Sequence, residues 1–174
     1  KKHKDISQGG LDNMEQDKHI VKSYDDEMKE INNNILDIGS LVENQLKRAL
    51  NALKNQDTAL AEKVIDDDNV IDEKFRELDQ NLVLILGKRQ PMATDLRTIF
   101  SAIKMNKDLE RLGDHATNIA KRTSMIDLVL PEKPVRDILR MGEHVQIMIG
   151  KVIQSFVNFS AEEAKAVWNM DEEI

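Results

Sequence analysis

The sequence predicts an all-α protein built as a bundle of long amphipathic helices. Three observations carry that expectation. The 174 residues hold 7 Gly and 3 Pro, and aromatics make up 3% of the chain. Such a composition disfavours sheets and leaves helices uninterrupted. The apolar residues recur at steps of three and four along most of the chain, which stacks them on one helical face. The breaks between these stripes carry residues that start and stop helices.

The opening, KKHKDISQGGLDN, has no apolar period and contains a Gly pair. Residues 1–17 are therefore expected to be a disordered tail or a remnant of an added sequence. The first helix is expected from about Tyr24 to Gln56, on the stripe Ile31, Ile35, Ile38, Val42, Leu46, Leu50 and Leu53. Asp57 then reads as an N-cap. The second helix runs from Thr58 to about Leu86 on Leu60, Val64, Ile71, Phe75, Leu78, Leu82 and Ile85, with Gly87 as its stop. Pro91 can open a helix but not continue one, so the third is expected from there to Ser124. IDLVLPEKPVRD, with two prolines, reads as a connection. A fourth helix covers about Val135 to Phe159, and a fifth starts at Ser160.

Residues 38–71 align with residues 141–174 at a shift of 103. Gly39 falls on Gly142, Val42 on Val145, Asn55 on Asn158, Ala61 on Ala164, Val64 on Val167 and Asp68 on Asp171. The cap is repeated too, since Asp57 falls on Ser160, which with Glu163 spells a capping box. The chain is thus read as a three-helix unit over 18–126, then a linker and the start of a second unit over 127–174. The second unit stops inside its second helix, so helices four and five should carry apolar faces without full cover. A truncation, a fragment or completion by oligomerisation is expected.

The formal net charge is −7 and there is no Cys. Binding of nucleic acid through a broad basic surface is not expected. Thiolate metal sites, disulfides and cysteine catalysis are excluded. No apolar run approaches the ~20 residues of a membrane span, and the expected compartment is intracellular.

Chemistry concentrates on two helices. In DLERLGDHATN (residues 108–118), Glu110, Asp114 and Asn118 are four apart and share a helical face. On a wheel of about 100° per residue, Asp68 falls inside the apolar stripe of the second helix and Asp72 at its edge. An ionised carboxylate on a packed face needs a partner or a cation. The second and third helices are antiparallel neighbours, so equal rise brings the two acid pairs to similar heights. An all-oxygen set suits Mg²⁺, Mn²⁺, Ca²⁺ or iron. A solvated acidic face is the competing account. Arg89, Asp95 and Arg97 gather around the turn, either as a local ion pair or as a partner-docking patch.

The stretch KRQPMATDLRTIFSAIKMNKDLERLGDHATNIAKR, residues 88–122, resembles the PhoU family of phosphate-uptake regulators. Its RQP–x–x–x–DLR and DLERLGDHAxNI segments carry the resemblance, and residues 18–31 and 39–68 agree with the family's opening helices. The resemblance implies tandem three-helix bundles, the second incomplete here. It implies E/DxxxD metal sites, described with iron, zinc or other divalent ions such as Mg or Mn. Carried over, these are Asp68, Asp72, Glu110 and Asp114, with Asn118 as an added ligand. In the second unit only Asp171 matches, and its i+4 partner would be residue 175. The implied function is that of a cytoplasmic, non-enzymatic adaptor, a homodimer or larger oligomer. It would link a phosphate ABC transporter ATPase to a sensor histidine kinase and restrain the phosphate-starvation response. A metal-free structural bundle that forms oligomers and a carboxylate metalloenzyme are the alternatives. The enzyme ranks last, because no Glu-x-x-His pair accompanies the acids.

Overall fold

Amphipathic stripes long enough to bury one face against two neighbours produce a bundle here. The computed structural model describes the backbone of residues 8–170 and the side chains of residues 24–170. Five helices run through them: α1 (Gln8–Asn55), α2 (Thr58–Arg89), α3 (Ala93–Ser124), α4 (Glu132–Val157) and α5 (Ala161–Met170). No strand occurs among the described residues. α1, α2 and α3 pack mutually, α4 packs on α1, and α5 packs on α4. The stripes meet in one core that includes Ile35, Val42, Val64, Leu82, Ile99 and Ala116.

Four boundaries differ from expectation, each for a physical reason. α1 starts at Gln8, so residues 8–17 of the expected tail are helical. Once a helix is nucleated, each further residue adds a hydrogen bond at little cost. α2 passes through Gly87 to Arg89. Lys88 and Arg89 both reach Glu27 on α1, so a contact between helices carries α2 beyond its local stop. α3 starts at Ala93 rather than Pro91, because Met92 is extended ahead of it. α4 starts at Glu132, with Pro134 inside its first turn, where a missing N–H is no loss.

Gln90 closes α2 in the left-handed region, φ 48°, with its N–H donating to the Leu86 carbonyl. A non-glycine residue pays steric strain there. Gln90→Gly is expected to stabilise the chain by about 0.5–1 kcal/mol, read as a rise in thermal melting temperature. An unchanged or lower midpoint would contradict it.

The repeat holds at the level of single hydrogen bonds. After α1, Gln56 takes φ 49°, and after α4, Phe159 takes φ 51°. The Asp57 N–H donates to the Ala52 carbonyl at 2.9 Å, and the Ser160 N–H to the Ser155 carbonyl at 2.9 Å. Asp57 Oδ1 caps the Leu60 N–H at 2.9 Å, and Ser160 Oγ caps the Glu163 N–H at 3.1 Å. The expected capping box is half made, since the Glu163 carboxylate accepts from Asn158 Nδ2.

The joint between the units is symmetric in the same sense. A Cβ on Gly39 would lie 2.1 Å from Ile153 Cδ1, and one on Gly142 would lie 2.4 Å from Leu50 Cδ1. Gly39 and Gly142 correspond in the repeat, as do Leu50 and Ile153. α1 and α4 therefore cross antiparallel about a local two-fold, each glycine admitting the other helix's aliphatic side chain. Between them, Gln146 Nε2 donates to the Glu43 carbonyl at 3.2 Å, again a corresponding pair. On α1, Ile35 and Ile38 are 0% and 2% exposed, whereas their counterparts on α4, Ile138 and Met141, are 44% and 46% exposed. α3 covers the first face, and no described helix covers the second.

Candidate metal and docking site

Asp68 and Asp72 project from α2 beside the buried Val64, Ile71 and Phe75. Across the α2–α3 seam stand Glu110, Asp114 and Asn118, flanked by the buried Leu109, Gly113 and Thr117. Asp68, Asp72 and Glu110 are half-buried, and Asp114 and Asn118 are exposed. Asp114 therefore faces bulk water, as a solvated acidic face would. α3 turns its small residues Gly113, Ala116 and Ala120 to the core, and that rotation leaves Asp114 and Asn118 outward.

The four carboxylates share one electrostatic field. Burial pushes the Asp72 carboxyl above its ordinary 3.8, and the charges of Asp68, Asp114 and Glu110 push it the same way, against Arg76. Lys107 pairs with Glu110 one turn away. Asp67, by contrast, pairs with Arg48 of α1 at 2.6 Å and takes no part. As placed, no three His, Cys, Asp or Glu side chains among the described residues are close enough together to hold a metal ion.

Three participants were not picked out from the sequence. Gln45 of α1, 2% exposed, donates through Nε2 to Asp68 Oδ1 at 2.8 Å and to Thr117 Oγ1 at 2.9 Å. Asn106, 4% exposed, donates to the Phe75 carbonyl at 3.0 Å and ties α3 to α2 below the acids. Gln45 had a signal of the same kind as Asp68, a polar residue within the stripe of Val42, Leu46 and Ala49. Its partners on α2 and α3 left no local mark.

The raised Asp72 predicts a pH dependence. The folded pKa exceeds the unfolded value of 3.8. Its charge therefore destabilises the fold fully above the raised pKa, and the penalty disappears as pH falls below 3.8. Asp72→Asn is expected to raise the melting temperature of the metal-free chain at pH 7, with a gain that shrinks as the pH falls toward 4. Melts in chelator across that range check it, and a lower midpoint at pH 7 would contradict it.

At the α2–α3 turn, Arg89 Nε and Nη2 donate to the two Glu27 oxygens, each at 2.9 Å. The Arg89 hydrogen bond holds the Glu27 carboxyl below its ordinary range. Asp95 and Arg97 are exposed on the first turn of α3. The Tyr24 hydroxyl is buried close to Asp95. Burial raises its pKa, helped by the nearby Asp95 charge. Arg89 thus braces α2 on α1, and Asp95 and Arg97 form the open part of the turn. His115 is exposed, and His144 Nε2 lies 3.3 Å from the Met170 carbonyl.

The sequence profile of the PhoU domain matches residues 35–123 and 138–174, two segments that follow the two repeat units. The chain belongs to the PhoU family. A Rhizobium meliloti relative named "Phosphate-specific transport system accessory protein PhoU homolog" is 36% identical over 90% of this chain and 66% of its own length. The Serratia marcescens "Phosphate-specific transport system accessory protein PhoU" is 33% identical over 94% of this chain and 68% of its own. The chain spans about two thirds of the length of the curated relatives it matches. The crystal structure of PhoU from Pseudomonas aeruginosa superposes with a TM-score of 0.81 at 34% identity, over 86% of this chain and 72% of that one. The PhoU structure from Streptococcus pneumoniae gives 0.79 at 28% identity, over 86% and 70%. The tandem helical-bundle architecture of the PhoU family is therefore the fold of this chain. Asp171 lies outside the described residues, so the second unit's acid has no structural account.

Proposed function

We propose that this chain is an accessory regulator of phosphate uptake. It would couple a phosphate ABC transporter ATPase to a sensor histidine kinase and hold the phosphate-starvation response off when phosphate is ample. The observation that carries this is the family membership, with relatives named as accessory proteins of a phosphate-specific transport system. Such a protein works by presenting helical faces to partners and is not an enzyme. No helix among the described residues is long and apolar enough to cross a membrane. In this reading contact with the transporter is peripheral, at its cytoplasmic side. The open turn at Asp95 and Arg97 is one docking surface, and assembly into a homodimer would provide others.

A cation at Asp68, Asp72, Glu110 and Asp114, with Asn118 beside them, belongs to the same proposal. The donor set fits. It is all oxygen, which suits Mg²⁺, Mn²⁺ or iron and admits Zn²⁺. Burial first, and then the like charges of Asp68, Asp114 and Glu110, raise Asp72, and a bound cation would offset that cost. Side-chain rotation at the α2–α3 seam would have to complete the ligand set. When bound, the ion supplies positive charge that clamps α2 to α3. The residues supply the seam, and Lys107 competes for Glu110.

The adaptor role is tested in a bacterial host lacking its own PhoU and grown with ample phosphate. The chain should repress a starvation-responsive reporter and co-purify with the transporter ATPase and the kinase. A reporter that stays on, with both proteins absent from the purified chain, would overturn it.

A further inference from the structure

The linker between α3 and α4, residues 125–131, turns apolar side chains outward. Val129 is 91% exposed, and Met125 and Leu128 are 78% exposed each. Such surface is costly in water, and three neighbours on one loop exceed the single apolar residues scattered over an ordinary surface. The loop is tied down all the same. Gln56 Nε2 donates to the Leu128 carbonyl at 2.7 Å, which fixes it to the end of α1. Basic side chains surround it. Lys121 and Arg122 close α3, and Lys133 stands in the first turn of α4. Lys54, Arg136 and Arg140 line the groove that runs from Leu130 between α1 and α4, where Glu132 and Glu143 join them. Residues 121–140 hold five basic and three acidic side chains, in a chain whose formal net charge is −7. This segment is thus a positive exception on an acidic molecule.

We propose that this loop is a lipid-contact site, through which the chain rests on an anionic membrane surface. Met125, Leu128 and Val129 enter the boundary between headgroups and acyl chains. The lysine and arginine side chains lay their stems along the loop and keep their charged heads at the lipid phosphates. Neither signal anchors a protein alone, and the two together give reversible binding. A protein partner would need a pocket for each protruding side chain. A bilayer takes them without shape complementarity, and the positive surround matches anionic headgroups. Asp127, exposed between Met125 and Leu128, keeps the insertion shallow, since an ionised carboxylate is costly in hydrocarbon. α1 and α3 end, and α2 and α4 begin, at this end of the bundle. The open turn at Asp95 and Arg97 lies at the other end of the 32-residue α2, about 48 Å away at 1.5 Å per residue. Contact through the loop therefore leaves that turn free for a partner. The inference goes beyond the adaptor reading and depends neither on it nor on a metal.

The test is flotation of the full chain with vesicles of phosphatidylcholine alone, and of phosphatidylcholine and phosphatidylglycerol in equal parts. Helicity and melting of every variant are measured alongside. The parent should float with the anionic vesicles and not with the neutral ones, and added salt should release it. Leu128→Ser combined with Val129→Ser should bind ~10-fold or more weakly with unchanged melting, because both side chains are exposed. Arg136→Gln combined with Arg140→Gln should also weaken binding ~10-fold. Met92→Ser removes a side chain that is 80% exposed at the far turn and should float like the parent. A parent that does not float overturns the proposal, as does a serine variant that floats like the parent, and a protein surface is then the remaining occupant of the loop. Equal loss in Met92→Ser overturns it too, since binding would be indiscriminate. If the serine variant does not fold, parent-like flotation of the arginine variant overturns it. None of these outcomes bears on the reporter and co-purification test of the adaptor role.

Discussion

Gly142→Leu is expected to release α4 and α5 from the rest of the molecule while leaving the α1–α3 bundle folded. Among the described residues, α4 reaches the first unit only through α1, and α5 reaches it only through α4. The whole second unit therefore hangs on one helix crossing. At that crossing a Cβ on Gly142 would already lie 2.4, 2.7 and 3.1 Å from three atoms of Leu50. Leu50 is 5% exposed and its entire isobutyl group would have to move. Overpacking by a methylene or two typically costs about 1–3 kcal/mol, and leucine adds four carbons. The first unit has its own mutual contacts among α1, α2 and α3 and does not need the joint. Hydrogen exchange should show α4 and α5 losing protection while α2 and α3 keep theirs. Equal loss in all helices, or none, would mean that the joint is not the separable element. Gly142→Ala should have a smaller effect, because the better helix propensity of alanine, about 1 kcal/mol, offsets part of the clash. Gly39→Leu should mimic Gly142→Leu, since Gly39 admits Ile153 in the corresponding place.

Asp114→Ala is expected to abolish most divalent metal binding while leaving the metal-free fold unchanged or slightly firmer. Asp114 is exposed, so its removal creates no cavity, and it takes away one of the charges that raise Asp72. Loss of a ligand should exceed the ~10–100-fold effect of losing an orienting partner. In the parent chain, a metal present at a hundredfold its dissociation constant should add about 2.7 kcal/mol of stability, and a chelator should remove it. Metal analysis and melts with and without Mn²⁺ check both statements. The same metal content in parent and Asp114→Ala would remove Asp114 from the site. The Asp72→Asn variant gives an opposing signature, a firmer metal-free chain that binds metal less well. A purely solvated acidic face would give neither.

Much of this molecule was written locally. The stripes on Ile31 to Leu53 and Leu60 to Ile85 place α1 and α2. The Asp57 cap forms as its side chain predicts, and the 103-residue repeat reappears as matched turns at Gln56 and Phe159. Spacing alone places Asp68 and Asp72 one turn apart on α2, and Glu110, Asp114 and Asn118 at successive turns of α3. These features depend on residues within a few turns of one another, and a helix of known period converts such spacing directly into geometry. Local spacing and caps were thus enough to lay down the helices, their faces, the repeat and the family motifs.

Which residues pair across the bundle emerges only on packing. Glu27 extends α2 past Gly87, because its Lys88 and Arg89 contacts lie some sixty residues away in sequence. Gln45 meets Thr117 across 72 residues, and nothing near either residue announces the other. Asp114 and Asn118 face outward because α3 rotates Gly113 and Ala116 into the core, a choice made by the surfaces of α1 and α2. Gly39 and Gly142, matched by the repeat in sequence, become the contact that joins the two units. Docking of preformed helices fixes such relations through shape and buried area, and those quantities exist only once the faces have met.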